Sequence, residues 1–128
     1  MTAPDELRRL LEMAARAQGY QDAEWSEFGQ CMELPSKPHG RLDWRPHEDD
    51  GDSRRLEVAL ELTVIQHPIY ENPKHSAIAR RSSWDSEAYE WRLDVLAMAP
   101  YSDHNGDKAA ATRMAVLRAA AAIGEAME

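Results

Sequence analysis

The chain has a single cysteine, Cys31, and a single phenylalanine, Phe28, among its 128 residues. A lone cysteine has no partner within the chain and cannot build a thiolate zinc cluster. A disulfide framework and a Cys-based metal site are therefore both excluded, and a reducing compartment is the natural home. No apolar run approaches the length of a membrane span. The opening "MTAPDELRRLLEMAARAQGY" puts acids before any base and has no long apolar core, so neither a signal peptide nor a membrane anchor is expected. Also missing are HExxH, GxSxG, a calcium-loop spacing and a glycine-rich phosphate loop, which leaves no catalytic residue, metal ligand or cofactor to assign.

What is present is acid. Asp and Glu number 23 against 15 Lys and Arg, a formal charge of −8. Sequence-blind affinity for DNA or RNA comes mainly from neutralising phosphates, so a generic nucleic-acid binder is disfavoured. The length suits one domain, residues 1–128, with a core large enough to need no staples.

Periodicity gives the elements. Leu7, Leu10, Leu11 and Ala14 recur at helical spacing, which predicts a helix over Glu6 to Gln18 with Asp5 as its cap and Gly19 as its stop. Residues 20–41 lack a clean period and fit a short strand or hairpin. In "LDWRPHEDDGDSRRLEVALEL" the aspartates Asp49, Asp50 and Asp52 sit where a helix can begin and can hold its unpaired N–H groups. That predicts a short helix from Asp52 to about Leu60, followed by a strand through His67. "HPIYENPKHSAIARRSS" reads as a loop, with "SAIARR" as at most an edge strand. "AYEWRLDVLAM" alternates Tyr89, Trp91, Leu93, Val95 and Ala97 against Glu90, Arg92 and Asp94, the pattern of a half-buried strand that becomes fully buried near Leu96 and Met98. The alanine-rich helix after Asp107 has apolar residues on opposite sides. This predicts packing on a sheet and on another helix or a second subunit, hence a homodimer or higher homo-oligomer.

"WRPHEDDGDSRRLEVAL" together with the closing "AATRMAVLRAAAAIG" resembles a group of small, largely uncharacterised phage and prophage proteins. These carry a WNPLxDDGDALRLAVxL-type segment and a TRRAIVRAAAxIG-type final helix. The match covers Gly19–Tyr20, Trp44–Leu60 and Ala110–Gly124. The resemblance implies an α+β domain, a small antiparallel sheet flanked by helices and similar to the phage α-β-α sandwich proteins, and residence in a host bacterial cytoplasm. It implies no activity. Arg45 and His47 depart from the WNPL form, and the stretch from His67 to Tyr89 is longer than the family pattern expects.

The candidate site is "NPKHSAIARRSSW", acid-free in an acidic chain. Lys74, Arg80 and Arg81 offer cations for phosphate, His75 and Ser82 offer donors, and Trp84 offers a face for a base. Trp44 and Arg45, with Tyr101 near His104, are expected to complete a pocket. The cluster of His47, Glu48, Asp49, Asp50 and Asp52 has the chemistry of a cation site, but it lacks the calcium-loop spacing and capping accounts for at least one aspartate. The expected function is a non-catalytic phage accessory protein that sequesters a small anionic host molecule, such as a nucleotide immune signal. The alternatives are an acidic interaction protein that docks on and inhibits a host protein, and a small nucleotide hydrolase.

Overall fold

The computed structural model describes residues 4–36, 40–66 and 76–127. The chain runs α1 (Pro4–Gln18), β1 (Glu24–Ser26), β2 (Cys31–Ser36), β3 (Gly40–Trp44), α2 (Asp50–Ala59), β4 (Leu62–Gln66), β5 (Ser76–Asp85), β6 (Glu90–Pro100), a 3-10 turn (Tyr101–His104) and α3 (Lys108–Ala126). It is an α+β fold with antiparallel sheets. The strands divide into two sheets, ordered β1-β2-β3 and β4-β5-β6.

Local chemistry explains the boundaries. α1 starts at Pro4, whose fixed φ and missing N–H suit a first turn, so Asp5 lies inside the helix and is not its cap. The helix stops at Gly19, at φ +89°, where Tyr20 N–H donates to Ala15 O and Gly19 N–H to Arg16 O. That paired closure requires the left-handed backbone that glycine adopts freely. Asp49 caps α2 by accepting from Asp52 N at 2.8 Å, and Asp107 caps α3 by accepting from Ala110 N at 3.1 Å. The helix-or-strand ambiguity of residues 56–64 resolves into both: helix to Ala59, a left-handed step at Glu61, then strand from Leu62.

α3 is the centre of the molecule. It packs on α1, on α2 and on all three strands of the second sheet, while α1 in turn packs on β1 and β2. Both apolar sides of α3 are thus used inside the chain: Ala115, Val116, Leu117, Ala119 and Ala120 are fully buried. The feature that pointed to a second subunit has an internal cause. Small residues let α1 come close, and Gly124 faces the Met13 backbone so tightly that a Cβ would collide with its carbonyl. On the first sheet, Trp25 opposes Met32 and Met32 opposes Trp44, giving one inward face. Trp44 is buried there, edge-to-face with Tyr20 at 5.6 Å. No helix among the described residues is long and apolar enough to cross a membrane.

Candidate functional site

The segment read as a loop contains the central strand of the second sheet. β5 pairs with β4 on one side and β6 on the other, so "SAIARR" is neither loop nor edge. The prolines of that segment, Pro68 and Pro73, precede Ser76 in the sequence and so do not interrupt the strand. Strand geometry then sorts the candidate residues, because successive side chains alternate between faces. Ala77, Ala79, Val64 and Gln66 share the face toward α3, where Gln66 Nε2 bonds Thr112 Oγ1 at 3.2 Å. Arg81 falls on that face, opposite Leu62 and Asp94. Arg80, Ser82 and Trp84 fall on the other. The adjacent arginines are therefore separated by the sheet and cannot form one fork.

Among the described residues, no helix lies on the other face. Its register rows run Ile65–Ile78–Met98, Thr63–Arg80–Val95, Ser82–Leu93 and Trp84–Trp91. A bulge between Ala79 and Arg80 leaves Leu96 as an extra residue on β6, which keeps Val95, Leu93 and Trp91 on this open side. The alternation seen in "AYEWRLDVLAM" is broken by that bulge: Trp91, Leu93 and Val95 point away from the core, while Ala97 beyond it turns inward. Trp91 is 71% exposed and Tyr89 81%, and Leu93, Val95 and Met98 are exposed too, while Ala97 and Ala99 are the residues that β6 turns toward α3. The expectation of burial at Met98 is corrected accordingly.

Three rings cluster at the far end. Trp84 meets Tyr89 at 5.1 Å and Trp91 at 5.5 Å, both edge-to-face, so that in each pair the edge of one ring meets the face of the other. The turn beneath them is held by Asp85, whose Oδ1 accepts from Glu87 N and Ala88 N at 3.0 Å and whose Oδ2 pairs with Arg92 at 2.7 Å. Arg80 is the one charged side chain in those rows, and its Nε is buried with no hydrogen-bond partner. Apolar surface gathered into one patch on a folded chain marks a contact site, whereas scattered exposed residues do not.

Other candidates are placed elsewhere. Lys74 and His75 lie outside the described residues. Trp44 and Tyr101 are core residues on different parts of the fold. Arg45 is committed to carboxylates: its side chain reaches Asp43 at 3.2 Å and Glu48 at 3.4 Å, and its backbone N–H donates to Asp52 at 2.9 Å. No group of three His, Cys, Asp or Glu among the described residues is disposed to hold a metal ion. Burial pushes the Cys31 thiol up, away from the thiolate. A cleft of about 690 Å³ lies between α1 and the first sheet, but Arg8 there is bound to Glu12 at 2.7 Å. Another, of about 440 Å³ beside His104 and Arg118, is walled by Glu6 and Asp103, which repel anions.

Tyr89, Trp91, Leu93 and Val95 were missed as surface because charged Glu90, Arg92 and Asp94 alternate with them, the signature of a strand lying on a core. The usable signal was length: β5 and β6 have 10 and 11 residues against five in β4, so their outer half has no third strand beside it. Comparison of the chain with family models, with curated proteins and with solved structures gives no match, so the site rests on its own geometry.

Proposed function

We propose that this is a non-catalytic binding protein of phage or prophage type that holds a small anionic, aromatic ligand of the nucleotide class on the open face of β4–β6. The observation that carries the reading is the presence of Trp84, Trp91 and Arg80 on one face that no helix among the described residues covers. A base stacks on an indole face, a guanidinium satisfies a phosphate, and the Ser82 hydroxyl adds a donor. The net charge of −8 favours a short ligand over a polyanion. The face offers a guanidinium, hydroxyls and rings, groups that bind, and its register rows hold no carboxylate, imidazole or thiol. The ligand is therefore sequestered, not turned over, a role suited to countering a host nucleotide signal in the host cytoplasm.

The test is titration of cyclic and linear nucleotides against tryptophan fluorescence, with recovery of the ligand after denaturation. Removing a stacked ring costs about 1–3 kcal/mol, so Trp91→Ala should weaken binding about fivefold or more. Arg80→Gln should weaken phosphate-bearing ligands more than nucleosides. No fluorescence or melting response across the panel would sink the reading, and loss of ligand on incubation would favour a hydrolase instead.

A second reading is favoured by shape, since the face is apolar and carried on strands, whereas small-molecule sites are concave. In it the same patch docks on a host protein and inhibits it. That reading predicts that Trp91→Ala abolishes a salt-insensitive, stoichiometric complex with one identified protein while nucleotides leave the complex intact.

A further inference from the structure

β6 is an edge strand, and its inner half is closed. Arg118 Nη1 reaches from α3 to Met98 O at 3.0 Å, occupying the edge near Pro100. Glu90 through Val95 have no such cover among the described residues, and all six are exposed on both faces of the sheet. A long free edge with apolar side chains is a template for another strand unless it is blocked by proline, an inward charge or a covering loop. No proline stands at Glu90–Val95, since Pro100 is at the opposite end of the strand, and among the described residues no loop covers it; the charges on its α3-side face, Glu90, Arg92 and Asp94, are exposed and are met by opposite charges on a suitably registered incoming strand.

The sequence of this edge is complementary to itself. A two-fold axis perpendicular to the sheet pairs β6 with the β6 of a second copy antiparallel, and directly opposed residues then share a face. With the axis at Leu93, Arg92 stands opposite Asp94 of the second copy and Asp94 opposite its Arg92, so both charge pairs are attractive. On the other face Leu93 meets Leu93 and Trp91 meets Val95. Moving the axis to Arg92 sets Arg92 against itself and Glu90 against Asp94. Moving it to Asp94 sets that carboxylate against itself. An axis at Val95 runs into the bulge at Leu96, and one at Trp91 takes in turn residues Ala88 and Tyr89 in place of strand. Cross-strand pairs of opposite charge stabilise a sheet and like pairs oppose it.

We propose that the protein forms a two-fold dimer in which the Glu90–Val95 edges of two copies pair antiparallel about Leu93, making one continuous six-stranded sheet. The two open faces then lie on the same side and meet at a seam of Leu93, Trp91 and Val95, so the aromatic platform is doubled. This goes beyond ligand binding and stands or falls without it.

Sedimentation equilibrium on the full chain tests the register. The wild-type protein should be dimeric. Arg92→Asp and Asp94→Arg should each raise the dimer dissociation constant about tenfold or more, because both pairs become repulsive. The double exchange Arg92→Asp with Asp94→Arg should restore the dimer, and an equimolar mixture of the two single variants should associate as a heterodimer. Arg92 also bridges Asp85 within the chain. Asp94→Arg and Leu93→Lys, which leave that bridge intact, therefore carry the test should Arg92→Asp unfold. A monomeric wild type, dimers indifferent to these charges, or a double exchange that fails to restore association would overturn the proposal. Nucleotide titration of the same samples reports on ligand binding separately, so failure of one does not entail failure of the other.

Discussion

Arg113 in α3 donates to Asp50 Oδ1 at 2.6 Å and to the carbonyl of His47 at 3.1 Å, tying the central helix to the loop that opens α2. The acidic stretch is thus a junction. Asp49 caps the helix, Asp50 meets Arg113, and Asp52 accepts from Arg45 N at 2.9 Å and from Arg55 at 2.6 Å.

Those three aspartates should rank in cost when replaced by alanine. Asp52 is nearly buried, and its loss leaves the Arg45 N–H without an acceptor, so Asp52→Ala should cost about 1–3 kcal/mol. Asp49→Ala removes the cap and should cost about 1 kcal/mol. Asp50 is largely exposed, and Asp50→Ala should cost less than about 1 kcal/mol. Urea denaturation of the three variants checks the order, and equal losses would contradict it.

Replacing Arg113 by alanine should cost more than replacing its carboxylate partner. It removes a charge-assisted bond and also strips the donor from the His47 carbonyl, about 1.5–3 kcal/mol together. Arg113→Lys should recover only part, because one ammonium does not reproduce a fork held to two acceptors. The measurement is the shift in denaturation midpoint.

Gly124→Ala sets two effects against each other. Alanine favours a helix interior by about 1 kcal/mol, but its Cβ would overlap the Met13 carbonyl carbon and oxygen, backbone atoms fixed inside α1. The clash should win, lowering stability by about 1–3 kcal/mol. A stabilised variant would show that α1 and α3 can move apart freely.

Two histidines make stability fall in mild acid. Burial holds the His47 imidazole below the ordinary value of 6.5, outweighing an exposed Glu48 at 2.9 Å that pulls the other way; Arg45 and Arg113 add to the depression. Burial, then Arg118, does the same for His104, against Asp103 and Asp107. The unfolded chain therefore takes up these protons first as pH drops. Their contribution is complete above the ordinary histidine range and is lost as pH falls from there toward the lower folded values. Melting temperature should decline between pH 7 and 5 by this route, and a double His47→Asn, His104→Asn variant should decline less. A variant as steep as wild type would assign the acid sensitivity elsewhere.

The exposed rings make the opposite prediction. Trp91→Ala, on the outer half of β6, should lower folding stability by no more than about 1.5 kcal/mol, because the ring is 71% exposed and the contact it loses is its edge-to-face pair with Trp84. A large loss of stability would mean that the face is covered.

The sequence by itself determined whatever depends on near neighbours along the chain. Asp49 and Asp107 as caps, Gly19 as a stop and the 3.6-residue recurrence in α1 are interactions within a few residues, so they are legible without the fold. The α+β class, which the family resemblance implied, agrees with the elements found. Alternation could say that β6 has an apolar and a charged face, but not which one meets the core. α3 covers only the half of β5 and β6 that lies beside β4, and nothing local encodes where a helix far along the chain ends its reach. The same long-range packing absorbed both sides of α3 within the chain, drew Trp44 and Arg45 into the core and the α2 junction, and separated Arg80 from Arg81 by the thickness of a sheet. It also left Trp84, Trp91, Leu93 and Val95 in solvent, because a strand longer than its neighbours has no partner to bury it.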